Sequence, residues 1–328
     1  MQLIEKLKEV CRSHPQKILF AEAADYRIIK AAKYLKENAL AEPVLLGGTF
    51  EIHEIAEQND ISTRGLQIVN HKHQNAYMPY VEQLNKKLKY KNYSKDELEI
   101  LLKDNLFFSM QWLEFSKTDF VLAGNMSTMR EVTKTALEVL GICEAYRRAS
   151  SFYLLMSPTQ ENIFAFADCS LNINPNAETM AETAIKTAQK FSHITGQSPR
   201  LAFLSFSTRG SAQPQNLEKI KMAIQIVSNK APSLQCDGEI QFDAAIDNAV
   251  AEKKGANNVL NGNANVFIFS TLNSANIAQK IAEQLASYLS IGPMIQGLRK
   301  NVHHLPKSCT VESVINSALL ASFLKIEN

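Results

Sequence analysis

The sequence predicts an α/β protein, and three observations carry that prediction. Apolar residues recur at helical spacing, as in Leu3, Ile4, Leu7, Val10 and Cys11, and are followed by short unbroken apolar runs such as KILFA at Lys17 to Ala21. Several of those runs open abruptly into polar, hydroxyl-bearing stretches, as parallel strands do where they hand over to helices. With 328 residues, 45% hydrophobic and 21% charged, the chain is long enough to bury two cores of ordinary size.

The alternation continues with a helix around Ile28 to Leu35, a strand at Val44 to Leu46 closed by Gly47 and Gly48, and a weaker element at Ile68 and Val69. Ser94 with Glu97 three residues on is a capping-box pattern, and Leu98, Leu101 and Leu102 then predict one long helix carrying the single tryptophan, Trp112. FVLAG at Phe120 to Gly124 predicts a strand that releases into Asn125, Met126, Ser127 and Thr128 before the next helix. From Ser151 the pattern changes. SFYLLM and IFAFAD are two consecutive strand-like runs, which break the strict alternation and place a domain start near Tyr146.

Beyond them, Asn174, Pro175 and Asn176 introduce a helix over Glu178 to Phe191, and the Gly/Asn-rich stretch Asn257 to Asn263 precedes a strand at Val266 to Phe269. Gly292 to Leu298 reads as a short strand bounded by Gly and Pro. The final helix, Val311 to Lys325, aligns Val314, Ile315, Ala318, Leu319 and Phe323 on one face.

Net charge is +2 with basic residues scattered, which argues against a nucleic-acid or membrane-surface partner. No apolar run has the length of a membrane helix, and MQLIEKLKEVCRSH is amphipathic and contains acids, unlike a signal peptide; the expectation is a cytoplasmic protein. Cys11, Cys143, Cys169, Cys236 and Cys309 are odd in number, far apart and without a CxxC pair, so free thiols are expected rather than disulfides or a zinc site. His71 and His73 flank Lys72 without an acidic or thiol partner at ligand spacing, and read as a surface loop with no metal.

The stretch LAFLSFSTRGSA at Leu201 to Ala212 is a buried strand opening into Ser205, Ser207, Thr208, Arg209, Gly210 and Ser211. Hydroxyls, main-chain N–H groups and a fixed guanidinium suit a phosphate or acyl phosphate, and Gly210 permits close backbone approach. The same residues also suit a capped strand-to-helix turn, and this stretch alone leaves both readings open.

Five ordered motifs resemble the phosphate acetyltransferase (phosphotransacetylase) family: FADCSLNINPNAE from Phe166, SFSTRGSA from Ser205, DGEIQFDAA from Asp237, ANVFIFSTLNSANIAQKIAEQL from Ala264, and GPMIQGL. AEAADYR at Ala21 to Arg27 resembles the family's N-terminal motif, so the resemblance spans nearly the whole chain. It implies two three-layer α/β/α domains with mainly parallel sheets and a cleft between them. The first domain would comprise residues 1–145 plus 293–328, and the second, 146–292, would be inserted in it. It also implies a homodimer, no permanently bound cofactor, and transfer of an acyl group between coenzyme A and phosphate. In that reaction a thiolate attacks the carbonyl of an acyl phosphate. The resemblance assigns substrate binding to Ser207, Thr208, Arg209, Gly210 and Ser211, with Arg209 where the family commonly has lysine.

The chain departs from the family after GPMIQGL. HLPKSC at His304 to Cys309 stands in place of DLSRGC, so that Pro306, Lys307 and Ser308 replace serine, arginine and glycine, and Ser313 stands where the family's thiol base, an aspartate, is found. The resemblance therefore places Lys307 and Ser313 at catalytic positions. Lys134 stands where an arginine of the substrate site is expected, with Arg130 one turn earlier, and Ser270 replaces a strand-end proline. His303 or His304 offers a substitute base, a structural role being the other reading. Lys86, Lys87, Lys89 and Lys91 read as a solvated loop or a site for coenzyme A phosphates, with Leu88 at a position where the family has arginine. Glu22, Asp25 and Arg27 read as a salt-bridge cluster at a helix start. These departures leave two functions open: an acyltransferase, or a catalytically impaired protein that binds acyl-CoA or acyl phosphate.

Overall fold

The computed structural model describes residues 2–73, 78–208, 210, 217–255 and 259–326. In chain order the first elements are α1 (Gln2–Ser13), β1 (Gln16–Phe20), α2 (Tyr26–Glu37), β2 (Ala41–Leu46), α3 (Thr49–Gln58), β3 (Gln67–Val69), α4 (Met78–Lys87), α5 (Lys95–Leu101), α6 (Asn105–Glu114), β4 (Phe120–Ala123) and α7 (Met129–Val139). Then follow β5 (Ser150–Met156), β6 (Ile163–Ala167), α8 (Ala177–Thr195), β7 (Arg200–Leu204), α9 (Glu218–Lys230), β8 (Gln235–Ile240), α10 (Phe242–Ile246), α11 (Asn248–Lys253), β9 (Val266–Ile268), α12 (Leu272–Gln284) and β10 (Leu289–Gln296). The chain closes with β11 (Val302–His304) and α13 (Val311–Ile326). It divides into two compact units, Met1–Ala145 with Gly297–Asn328, and Tyr146–Gln296.

The first unit is built on a parallel sheet of order β11-β4-β1-β2-β3. Alternation along its buried strands sends Leu19, Val44, Val121, Ala123 and Val302 into one core with Val132, Ala136 and Val139 of α7. The opposite face is covered by α13, which packs on α1 and α2. α2 forms because Asp25 caps it, accepting the Arg27 amide at 2.9 Å, and because Ile28, Ile29, Ala31, Ala32 and Leu35 supply a buried stripe.

In the second unit the sheet order is β10-β5-β6-β9-β7-β8. β5 pairs antiparallel with β10 and β6, while β6, β9, β7 and β8 run parallel. The two consecutive apolar runs are thus neighbouring antiparallel strands, which explains the break in alternation. α8 and α9 cover one face of this sheet. The other buries Phe166, Phe267 and Phe269 with Ala244, Ala251 and Ala275.

Both halves of the Ser94–Glu97 capping box form. The single long helix expected beyond it does not: α5 ends at Leu101, and α6 begins after Asp104, whose carboxylate accepts the amides of Leu106 at 2.9 Å and Phe107 at 3.0 Å. A carboxylate that caps two amides starts a new helix without interrupting the apolar spacing. His71 is also not in a surface loop. It is fully buried, its Nε2 lies 2.9 Å from the Lys103 carbonyl and its ring packs on Phe108. Among the described residues no helix is long and apolar enough to cross a membrane, and no group of three or more His, Cys, Asp or Glu side chains could hold a metal ion.

Replacing Asp104 by Ala removes the cap on α6 and is expected to lower unfolding stability by about 1 kcal/mol, read from the shift in urea midpoint at unchanged slope.

Candidate functional site

Parallel sheets present loops at the carboxyl ends of their strands, where ligands of α/β proteins bind. In the first unit the loops after β1, β4 and β11 are adjacent by strand order and are tied together by polar side chains. Glu22 follows β1 and is buried. Its Oε2 accepts the Gly124 amide at 2.7 Å and the Met126 amide at 3.3 Å, and Oε1 accepts the Ser127 hydroxyl. Glu22 is therefore not part of a salt-bridge cluster: its carboxylate is the internal acceptor of the loop after β4. Asp25 and Arg27 do form an ion pair, at 2.6 Å, and Asn125 donates to Asp25 at 3.1 Å. Burial works against the Asp25 charge, yet the Arg27 guanidinium and amide, with Asn125, hold its carboxyl below the ordinary value.

The Arg27 guanidinium also donates to the carbonyls of Lys307 and Cys309, each at 2.8 Å, and so fixes the loop after β11. Lys307 is exposed, and its charge acts on Glu131 at the first turn of α7. The Thr128 amide and hydroxyl, with Lys307 adding to them, hold the Glu131 carboxyl low. Thr128 and Glu131 complete a capping box on α7, while Arg130 and Lys134 project from it exposed. Ser313 is half-buried in the first turn of α13. Its hydroxyl accepts the Thr310 amide at 2.8 Å and donates to the Thr310 carbonyl at 2.9 Å. These are the bonds of a helix cap.

Both tail histidines are buried in β11. The His304 ring lies so close to the Gly124 backbone that a Cβ at residue 124 would meet its Cδ2 at 2.3 Å. Gly124 also has φ +116°, a conformation that suits glycine. Burial lowers the His304 pKa to about 4, with the Ser127 main chain opposing, so the ring is neutral at pH 7.

In the second unit the loop after β7 carries the predicted anion-binding residues. Of these, Arg209 and Ser211 lie outside the described residues. Ser207 and Thr208 are buried and turned toward the segment that ends β8. The Ser207 hydroxyl donates to Glu239 Oε1 at 2.7 Å, and the Gly210 amide donates to the same oxygen at 2.9 Å. Thr208 Oγ1 accepts the Gln241 amide at 3.1 Å. Glu239 is only 2% exposed, and its Oε2 has no hydrogen-bond partner among the described residues. Asp168, after β6, plays the same part for its own loop. It accepts the amides of Ser170, Leu171 and Asn172 at 3.1–3.2 Å and the Ser151 hydroxyl.

One strand-end cation escaped the sequence reading. Lys219, in the first turn of α9, places Nζ 2.7 Å from Asn174 Oδ1 in the loop after β6, and 2.7 Å from the Ser270 carbonyl after β9. Burial lowers its pKa. In the lysine cluster at 86–91, Lys87 pairs with Glu114 at 3.1 Å and Lys91 with Glu138 at 2.6 Å, Lys86 and Lys89 are exposed, and Leu88 is buried.

The His304 shift sets a pH dependence. The folded pKa, about 4, lies below the ordinary 6.5, so the unfolded chain binds the proton first. The contribution is complete above pH 6.5 and is lost as pH falls from 6.5 through 4, by roughly 3 kcal/mol at most. His304→Asn should flatten this limb relative to the parent, as measured by urea unfolding at steps of pH.

The match to known proteins is full-length. The family described as phosphate acetyl/butaryl transferase matches residues 2–322. A phosphate acetyltransferase of Acetivibrio thermocellus is 32% identical over 326 residues, covering 98% of this chain and 98% of that protein. The one from Bacillus subtilis is 32% identical over 320 residues, covering 98% of each. A solved phosphotransacetylase from Streptococcus pyogenes superposes with a TM-score of 0.92 at 29% identity, over 100% of this chain and 99% of that one. With its α/β fold and its polar strand-end loops, the chain belongs to the phosphate acetyl/butaryl transferase family.

Proposed function

We infer that the chain transfers an acetyl or other short acyl group reversibly between coenzyme A and phosphate. The observation that carries this reading is the family match over residues 2–322. In the forward direction the coenzyme A thiolate forms a bond to the carbonyl carbon of the acyl phosphate, and the carbon–oxygen bond to phosphate then breaks. The charge that develops on the carbonyl oxygen and on departing phosphate calls for fixed donors and cations.

Lys307, held from behind by Arg27, supplies a positive charge at the end of β11. Lys134 supplies another on α7. Lysine keeps the charge of arginine but loses its planar fork, so each grips a phosphoryl or carbonyl oxygen less specifically. The family resemblance assigns the phosphoryl group to the loop carrying Ser207, Thr208, Arg209, Gly210 and Ser211, in which the Ser207 hydroxyl and the Gly210 amide are engaged with Glu239.

Ser313 cannot serve as a carboxylate base, and its hydroxyl is engaged with Thr310. The neutral His304 ring is enclosed. Attack then draws on the thiolate already present, about 3% of a thiol of ordinary pKa at pH 7. A positioned base is worth about 10²–10⁴-fold, which makes this a slow member of its class rather than an inert one.

The reading includes a cytoplasmic homodimer. Ile277 and Ile281 on α12, with Leu285 just past its end, form a stripe four residues apart, 51%, 52% and 82% exposed. It borders a groove of about 590 Å³ lined by Phe164, Phe242, Ile246, Ala282 and Tyr288. Ridge and groove on one face suit a two-fold pairing in which each fills the other.

Purified protein should form acetyl-CoA from acetyl phosphate and coenzyme A. Absence of turnover with acetyl, propionyl and butyryl phosphate would defeat the proposal. The double variant Lys307→Arg with Ser313→Asp should raise kcat by about tenfold or more; unchanged turnover would count against the assigned roles. Ile281→Lys should convert a dimer to monomer in light scattering, and an unaltered mass would remove this face from the interface.

A further inference from the structure

Lys219 is held at the strand ends of the second unit without a counter-charge among the described residues. Its ammonium has three donors, and two of them reach neutral oxygens, Asn174 Oδ1 and the Ser270 carbonyl, each at 2.7 Å. No carboxylate lies within ion-pairing distance of it among the described residues, and burial alone acts on its pKa, downward. A half-buried cation in a neutral cradle is costly for the fold, and an anion at its open side would relieve that cost.

Its position suits such a guest. Strand order β6-β9-β7-β8 puts the end of β9 between the ends of β6 and β7. Lys219 bridges the loop after β6 to the chain after β9, while the loop after β7 carries Ser207, Thr208 and Gly210. The carboxylates at these strand ends are already engaged with loop donors. Asp168 accepts the amides of Ser170, Leu171 and Asn172, and Glu239 accepts from Ser207 and Gly210. Neither bonds to Lys219, whose charge meets no carboxylate among the described residues.

We propose that Lys219 is a substrate-binding residue that holds a phosphoryl group at the carboxyl ends of β6 and β9. The assignment rests on the acyltransferase reading for the identity of the substrate, and on the geometry for the charge. Two substrates carry phosphoryl groups, the acyl phosphate or inorganic phosphate on one side and coenzyme A on the other.

The test compares Lys219→Gln and Lys219→Arg with the parent protein, each checked for an unchanged melting temperature. Steady-state kinetics would be taken with acetyl phosphate, coenzyme A and 3′-dephospho-coenzyme A, together with calorimetric titration of inorganic phosphate and of coenzyme A. Lys219→Gln should raise one KM by about tenfold or more with kcat changed far less, and Lys219→Arg should recover much of the loss. A rise confined to acetyl phosphate, with weakened phosphate binding, identifies the acyl phosphate. A rise confined to coenzyme A identifies that substrate, and its disappearance with the dephospho form locates the 3′-phosphate.

If the parent turns over and Lys219→Gln leaves every KM within about twofold, Lys219 is not a ligand and the acyltransferase reading survives. If the parent does not turn over but binds phosphate or coenzyme A in a manner lost in Lys219→Gln, the activity is wrong and the site stands. A parent that binds neither overturns the proposal, as does a Lys219→Gln variant that falls in melting temperature and loses kcat and all KM values together without rescue by Lys219→Arg.

Discussion

Main-chain N–H groups at the ends of parallel strands need acceptors, and in both units those acceptors are buried carboxylates. Glu22 takes the amides of Gly124 and Met126, Asp168 takes three successive amides after β6, and Glu239 takes the Gly210 amide with the Ser207 hydroxyl. An unpaired buried amide is expensive, and an ionised acceptor makes a stronger bond than a neutral one. These carboxylates therefore decide the local loop conformations, and the loop after β4 decides where α7 begins.

The acidic side chains at these strand ends are thus engaged by the frame itself. Under the proposed function, attraction for anionic substrates is assigned to lysines outside it, Lys134, Lys219 and Lys307. By the family resemblance, Lys134 and Lys307 stand where arginine is expected. Lysine concentrates its charge on one atom, so its effect depends on how its main chain is held. Arg27 does this for Lys307 by taking the carbonyls of Lys307 and Cys309.

Local chemistry was legible in the sequence, and distant chemistry was not. The strands at Ile18, Val44, Val121 and Val266 follow from apolar runs with abrupt ends, and the Ser94 and Asp25 caps follow from side chains acting on amides two or three residues away. Asp104 was missed because a capped break can leave helical spacing intact across it. Glu22 was misread because its partners lie about a hundred residues on, in the loop after β4. Lys219 gave no signal for the same reason: its cradle comes from Asn174 and Ser270, remote in sequence and neutral in charge. The tail motif told its story through what had been replaced, yet only the hydrogen bonds show Ser313 working as a helix cap.

The contact between Gly124 and His304 bears on how this chain can change. The ring and the Leu305 carbonyl, which a Cβ at 124 would meet at 2.8 Å, together fill the space that a side chain would need. A smaller residue at 304 removes only the first of these obstacles, so the main chain keeps position 124 closed, and the φ of +116° adds to that restriction. Since the loop that starts at Gly124 leads into α7, the same contacts narrow the routes by which the start of that helix could drift.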